Sequence, residues 1–194
     1  MNSVVRNIKA VPDISSSHFR GAMRALAGGV SVITVGRGSD ISGMTVTSVS
    51  SLSVEPPTLI VSVNRQSSSW PLLQRHGAFG VNILTAEQLD IAERFSGKDG
   101  AKGAARFADA QWTTRVTGVP LLIGALAAID CEVEEVIERH SHAIVIGRVR
   151  EVLASAPHTA LTYWNGQYVA IDQNEDALKL ADVSLPSPRG LREI

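Results

Sequence analysis

Cysteine is almost missing from the chain. Its 194 residues include one, Cys131, so no intrachain disulfide can form and no CxxC pair exists for zinc or redox work. Aromatic residues make up 5%, too thin for a base-stacking platform. Charge of one sign is also missing. The formal net charge is −1, which argues against nucleic acid or an anionic membrane as the main partner. No apolar run approaches the ~20 residues of a membrane span, and the opening MNSVVRNIKAVPDISSS lacks the apolar core of a signal peptide. These absences predict a soluble, cytoplasmic protein with no nucleic-acid or membrane partner.

With 44% hydrophobic and 19% charged residues, a core for one domain is available. Residues 1–15 read as an arm, 16–172 as the domain, and 173–194, with Pro186 and Pro188, as an extended tail. Ser15–Ser17 offer N-caps for a helix carrying Phe19, Met23 and Leu26 and closed by Gly28-Gly29. VSVITVG, TLIVSVNR and AFGVNIL read as strands, as do two long segments near 124–137 and 142–153. Ser67–His76 reads as a short helix with Pro71 near its start, and Thr85-x-x-Gln88 as a capping box for a helix reaching Phe95. Residues 96–105, SGKDGAKGAA, read as a small-residue loop. Asn165-Gly166 marks a type I′ hairpin turn. Strands dominate and most links are too short for parallel crossovers, which predicts a mainly β fold, an antiparallel barrel with peripheral helices.

Several site patterns fail on inspection. Gly36-Arg37-Gly38 is a GxG that runs from a strand into a turn without a third glycine, so no dinucleotide-binding βαβ unit is expected. His140-Ser141-His142 on a strand would turn both imidazoles to one side. The cupin pattern, however, asks for a preceding glycine and a following glutamate, and AIVIG supplies neither, so no metal site is expected. Cys131 alternates along AIDCEVEEV with no histidine base paired to it, and reads as a buried structural thiol. GxSxG is absent.

The unusual stretch is SGMTVTSVSSLSVEPPTLIVSV. Seven of the twelve residues from Ser42 to Ser53 carry a hydroxyl and none carries a charge. A hydroxyl-rich edge strand facing water explains the alternation in TVTSV but not the crowding of Ser48, Ser50, Ser51 and Ser53. Neutral hydroxyl and N–H groups in such number suit a polar ligand with a phosphate and a polyol chain.

In its surroundings this stretch carries a resemblance. FRGAMRALAGGVSVITV, GMTVTSVSSLSVEPPTLIVSVNRQSSSW, FGVNIL, ARF at 105–107, GVPLL, AAIDCEV, HAIVIGRV and YWNGQY follow one another in order from about Phe19 to Ile171. Read together, the chain resembles the short-chain flavin reductases, the reductase components of two-component flavin-dependent monooxygenases. The resemblance implies a flavin-binding antiparallel split β-barrel. It also implies a homodimer that reduces FAD or FMN with a nicotinamide and passes reduced flavin to an oxygenase. NADH is expected over NADPH because no evident arginine pair stands ready for a 2′-phosphate; the nearest, Arg139 and Arg148, only flank the histidine motif.

By position, Thr45, Val46, Thr47, Ser48 and Ser51 would line the flavin's ribityl chain and phosphate. Ser62, Val63 and Asn64 would run along the isoalloxazine, and Ser68, Ser69 and Trp70 would hold the distal end. Arg106-Phe107 would approach the phosphates. His142 would position the nicotinamide, with His140, Ser141, Gly166 and Tyr168 around it. The family's Gly-Asp-His has become His140-Ser141-His142 here. Two other readings stay open: a flavin-binding carrier or sensor without reductase activity, and an oxidase of the pyridoxine-phosphate type.

Overall fold

The computed structural model describes residues 13–155 and 159–172. The expected arm, apart from Asp13 to Ser15, and the expected tail lie outside them. The strands are β1 (Gly28–Gly29), β2 (Ser31–Arg37), β3 (Asp40–Val46), β4 (Ser50–Val54), β5 (Pro57–Asn64), β6 (Ala78–Ile83), β7 (Trp112–Thr113), β8 (Leu121–Leu122), β9 (Ala127–Arg139), β10 (His142–Ala154), β11 (Ala160–Trp164) and β12 (Gln167–Ile171). The helices are α1 (Ser16–Met23), α2 (Trp70–His76) and α3 (Leu89–Ser96), with 3-10 turns at Ala86–Gln88 and Gly103–Phe107.

Seven strands form one antiparallel sheet in the order β3-β2-β6-β9-β10-β5-β4. Among the described residues no ladder joins the two edges, β3 and β4, although only residues 47–49 separate them in sequence. A three-stranded sheet, β1-β11-β12, and a two-stranded one, β7-β8, complete the fold.

β2 and β6 lie inside the sheet and are buried on both faces. Val32 and Ala78 face one core cluster, shared with Phe95, Phe107 and Leu121. Ile33, Val35, Phe79 and Val81 face the other, shared with Val61, Trp70, Leu73 and Val145. A strand covered twice must also satisfy its buried polar side chains. Fully buried Asn82 does so: its Nδ2 donates to Val32 O at 3.0 Å, and its Oδ1 accepts from Leu122 N at 2.7 Å. Buried Asp130 accepts from Thr117 N at 3.0 Å and from the Thr117 hydroxyl. Thr34 Oγ1 donates to Pro120 O. Together these bonds stitch the 117–122 segment over the sheet.

The first helix is shorter than the 3.6-residue spacing predicts. Its C-cap is Arg24, so Leu26 lies beyond it, and Gly28-Gly29 form a strand paired with Tyr163 and Thr162 instead of a cap. The carbonyls that would continue the helix are taken elsewhere. Arg24 O accepts from Asn165 N at 2.9 Å, and Ala25 O accepts from Trp164 Nε1 at 3.2 Å. No residue of α1 is buried. α2 begins at Trp70 rather than Ser67, because Trp70 N donates to Ser67 O and closes a turn first. The capping box forms, with Gln88 Oε1 accepting from Thr85 N at 3.0 Å. So does the hairpin turn, with φ of 49° at Asn165 and 84° at Gly166.

One close approach tests the packing. A Cβ at Gly147 would lie 2.4 Å from Phe79 Cζ and 3.2 Å from Cys131 Cβ. Gly147→Ala should therefore overpack the core and cost roughly 1–3 kcal/mol, read as a lower urea midpoint at unchanged slope. A midpoint equal to that of the parent would show that the ring moves aside freely.

Candidate functional site

The end of β3, the end of α3 and the β11–β12 hairpin enclose a cleft of about 660 Å3, within the usual range of ligand sites. Thr45, Val46 and Thr47 form one wall, and Tyr163, Gly166, Gln167 and Tyr168 form the other, with Ser96 and Lys98 between them and Val30 and Leu89 completing the lining. Tyr163 and Tyr168 stand edge to face, centroids 5.2 Å apart. Lys98 Nζ lies 5.7 Å from the Tyr168 centroid and 2.6 Å from Glu93 Oε1. The hydrogen bond it donates to Glu93 raises the ammonium pKa above the usual lysine value. Burial raises that of the Tyr168 phenol, against the opposing effect of Lys98. Thr45, half buried, donates its hydroxyl to Ala92 O at 2.6 Å and so ties β3 to α3.

Ser48 explains how the loop between β3 and β4 is held. The β4–β5 ladder stops at the pair Ser50–Ile60. Two residues on, Ser48 Oγ donates to Ser62 O at 3.1 Å and accepts from Ser62 N at 3.3 Å. One hydroxyl thus takes the place of a backbone partner. Ser51 sits within β4, exposed, opposite Leu59.

On β5, Val63 is fully buried, while Ser62 and Asn64 lie on the outward face. Asn64 pairs with His142 across the β5–β10 ladder, and Arg65 N donates to Ser141 O at 3.0 Å. His142 Nδ1 is 2.9 Å from Ser141 Oγ. The site residues therefore form a continuous band: Thr45 to Thr47 in the cleft, Ser48 clipped to Ser62, then Asn64 beside His142. The residues assigned to the flavin by resemblance meet those assigned to the nicotinamide at both ends of this band, at Gly166 and Tyr168 and again at His142.

Other expected site residues lie elsewhere or have other work. Trp70 is in the core, 7% exposed. Phe107 is buried in an aromatic cluster, 5.0 Å from Phe95 and 4.9 Å from Trp112 between centroids. Arg106 donates to Gly43 O at 2.5 Å and to Ala101 O at 2.8 Å, spending its fork on backbone. Ser69 Oγ donates to Ser42 Oγ at 3.1 Å, and Ser68 Oγ lies 3.3 Å from the same hydroxyl. Beside them the Ser67 hydroxyl oxygen is buried without a hydrogen-bond partner.

The premise for reading His140 and His142 as a pair fails. His140, φ 51°, sits in the two-residue turn between β9 and β10, so the two imidazoles do not share a strand face. Sequence reasoning missed Lys98, Ser96, Tyr163 and Gln167. Glu93 and Lys98 are five apart, outside the helical i,i+4 rule. The turn that joins them depends on Gly97 at φ 87°.

The family model described as flavin reductase like domain matches residues 23–172. The chain belongs to this family. Among the relatives of this flavin reductase-like chain, the FMN reductase (NADH) RutF of Stutzerimonas stutzeri is 39% identical over 77% of this chain and 85% of its own length. The reductase subunit HsaB of a flavin-dependent monooxygenase from Rhodococcus jostii is 32% identical over 86% and 83%. Among solved structures, BorF, the flavin reductase component of a bacterial two-component tryptophan halogenase, is 31% identical with a TM-score of 0.76 over 82% of this chain and 99% of its own. The styrene monooxygenase flavin reductase of Pseudomonas putida is 30% identical with a TM-score of 0.70 over 80% and 97%.

Cys131 takes no part in the band. It is fully buried, and burial together with neighbouring Asp130 pushes its thiol up to about 12. Native protein should therefore leave a disulfide reagent such as DTNB unreacted at pH 8 over hours and release one thiol per chain in denaturant. Prompt labelling of native protein would contradict the burial.

Proposed function

We propose that the chain is an NAD(P)H-dependent flavin reductase with NADH as its preferred donor. In this reading it works as a homodimeric split barrel that reduces FAD or FMN and supplies the reduced flavin to a separate oxygenase. Its family and relatives support the reaction class. The observation that carries the site reading is the band from Thr45 through Ser48 and Ser62 to Asn64 and His142 along the gap between the sheet's two edges.

The residues present fit a flavin. Thr47 supplies a hydroxyl in the cleft, the Thr45 and Ser96 hydroxyl oxygens can still accept from a polyol chain, and the buried Ser67 hydroxyl oxygen has a bond still to make. When bound, the flavin supplies the hydride acceptor. This chain supplies orientation. The Ser48 clip holds the Thr47 wall at fixed height against β5, and the pairing of Asn64 with His142 holds the imidazole beside it. The Ser141–His142 contact fixes the ring. Stacking two planar rings in such a groove lets alignment lower the barrier without a charged acid–base pair.

The dimer rests on α1. Phe19, Met23 and Leu26 are all exposed and line a groove of about 790 Å3 with Thr47, Val49 and Tyr163. A second copy in that groove would bury an apolar face adjoining the cleft. Light scattering at micromolar concentration should return twice the 20.6 kDa chain mass. A particle of one chain mass would remove the dimer from the proposal.

The activity test is direct. NADH oxidation should rise above background only when FMN or FAD is added. A rate that stays at background with both flavins and both nucleotides would refute the reductase reading. In the same assay His142→Ala should raise KM for NADH several-fold and flavin affinity far less, as expected for lost uniform binding. Flavin affinity collapsing at unchanged KM for NADH would invert the two assignments.

A further inference from the structure

One charged pair in the cleft has no part in the reading above. Among the described lining residues Lys98 is the single cation, and the remaining polar side chains, Thr45, Thr47, Ser96, Gln167, Tyr163 and Tyr168, are neutral. The ammonium is already matched. Glu93 Oε1 lies 2.6 Å away, so the pair brings no net charge to the cleft.

The match is built into the end of α3. Gly97, at φ 87°, turns the chain back, so that Lys98 N donates to Glu93 O at 3.4 Å and Ser96 Oγ donates to the same carbonyl at 2.6 Å. A side chain at Gly97 would be strained in that conformation. The turn brings together two residues that ordinary helical spacing keeps apart, and Tyr168 covers the lysine from the hairpin side.

Such a cleft treats two nucleotides differently. The pyrophosphate common to NADH and NADPH can be held by neutral donors such as the Thr47 hydroxyl, the Gln167 amide and backbone N–H groups. The extra 2′-phosphate of NADPH adds between one and two further negative charges near neutral pH. It would meet a carboxylate beside the only lining ammonium, and nearby like charges repel strongly once partly desolvated.

We infer that the Glu93–Lys98 pair determines nucleotide choice, with Glu93 cancelling the cation that a 2′-phosphate would need and so holding the preference for NADH. The inference rests on the flavin reductase reading and goes beyond it by naming a specificity residue.

The test compares kcat/KM for NADH and NADPH in the wild type, Glu93→Gln and Lys98→Gln, each with FMN and with riboflavin as acceptor. Glu93→Gln should raise the NADPH:NADH ratio about tenfold, equivalent to about 1.4 kcal/mol. That gain should shrink in high salt, as an exposed charge effect must. Lys98→Gln, which leaves Glu93 unmatched, should move the ratio the other way. Both side chains are well exposed, so both variants keep the core intact.

An active wild type whose ratio stays within twofold in both variants overturns the inference and leaves the reductase reading standing. So does a change that appears in the FMN:riboflavin ratio instead, which would assign Lys98 to the flavin's phosphate. A wild type idle with every nucleotide and flavin overturns the functional reading and the inference with it.

Discussion

Covering β2 and β6 on both faces is the constraint on which the rest of the molecule depends. Two adjacent strands with apolar side chains above and below need a lid on each side. α3 and the Gly103–Phe107 turn supply one, while α2 and the strands β5 and β10 from the far half of the sheet supply the other. The polar groups trapped between, Asn82, Thr34 and Asp130, find partners on the 117–122 segment and make that cover obligatory. With the middle of the sheet sealed, the free hydroxyls and ring faces are left at its edges and at the hairpin.

Those edges suit a reaction that asks for alignment more than for acid–base power. Within the band from Thr45 to His142, three polar groups are placed by neighbours: Thr45 by Ala92, Ser48 by Ser62, and His142 by Ser141 and by pairing with Asn64. The Lys98 ammonium in the cleft is matched by Glu93 beside it. A groove of this kind holds large, flat, polar molecules by many weak contacts and adds little charge of its own.

Much of this was legible in the sequence. The long strands β9 and β10, the Asn165-Gly166 turn and the Thr85 capping box follow from local patterns, and each formed close to where those patterns put it. The hydroxyl-rich stretch contributes Thr45 and Thr47 to the lining of the cleft. Sequence could not tell that Ser48 would spend its hydroxyl on a strand edge, because that partner lies fourteen residues away and only the sheet register brings it near. Trp70 and Phe107 stand in segments that the resemblance assigns to the flavin, and tertiary packing drew both into the core. α1 was read too long because its last carbonyls bond to a hairpin some 140 residues later. Lys98 was missed because its carboxylate partner is reached through a left-handed glycine, a spacing no helical template contains.

The tie between α1 and the hairpin gives the molecule a mechanical property. Trp164 and Asn165 hang from the carbonyls of Ala25 and Arg24, and their neighbours Tyr163 and Gly166 line the cleft. A helix with no buried side chain of its own is thus fastened to a wall of the binding groove by two hydrogen bonds. Such a tether would act as a lever arm: a displacement of α1 would be carried through those two bonds to the tyrosine pair, and the width of the cleft would depend on what rests outside it.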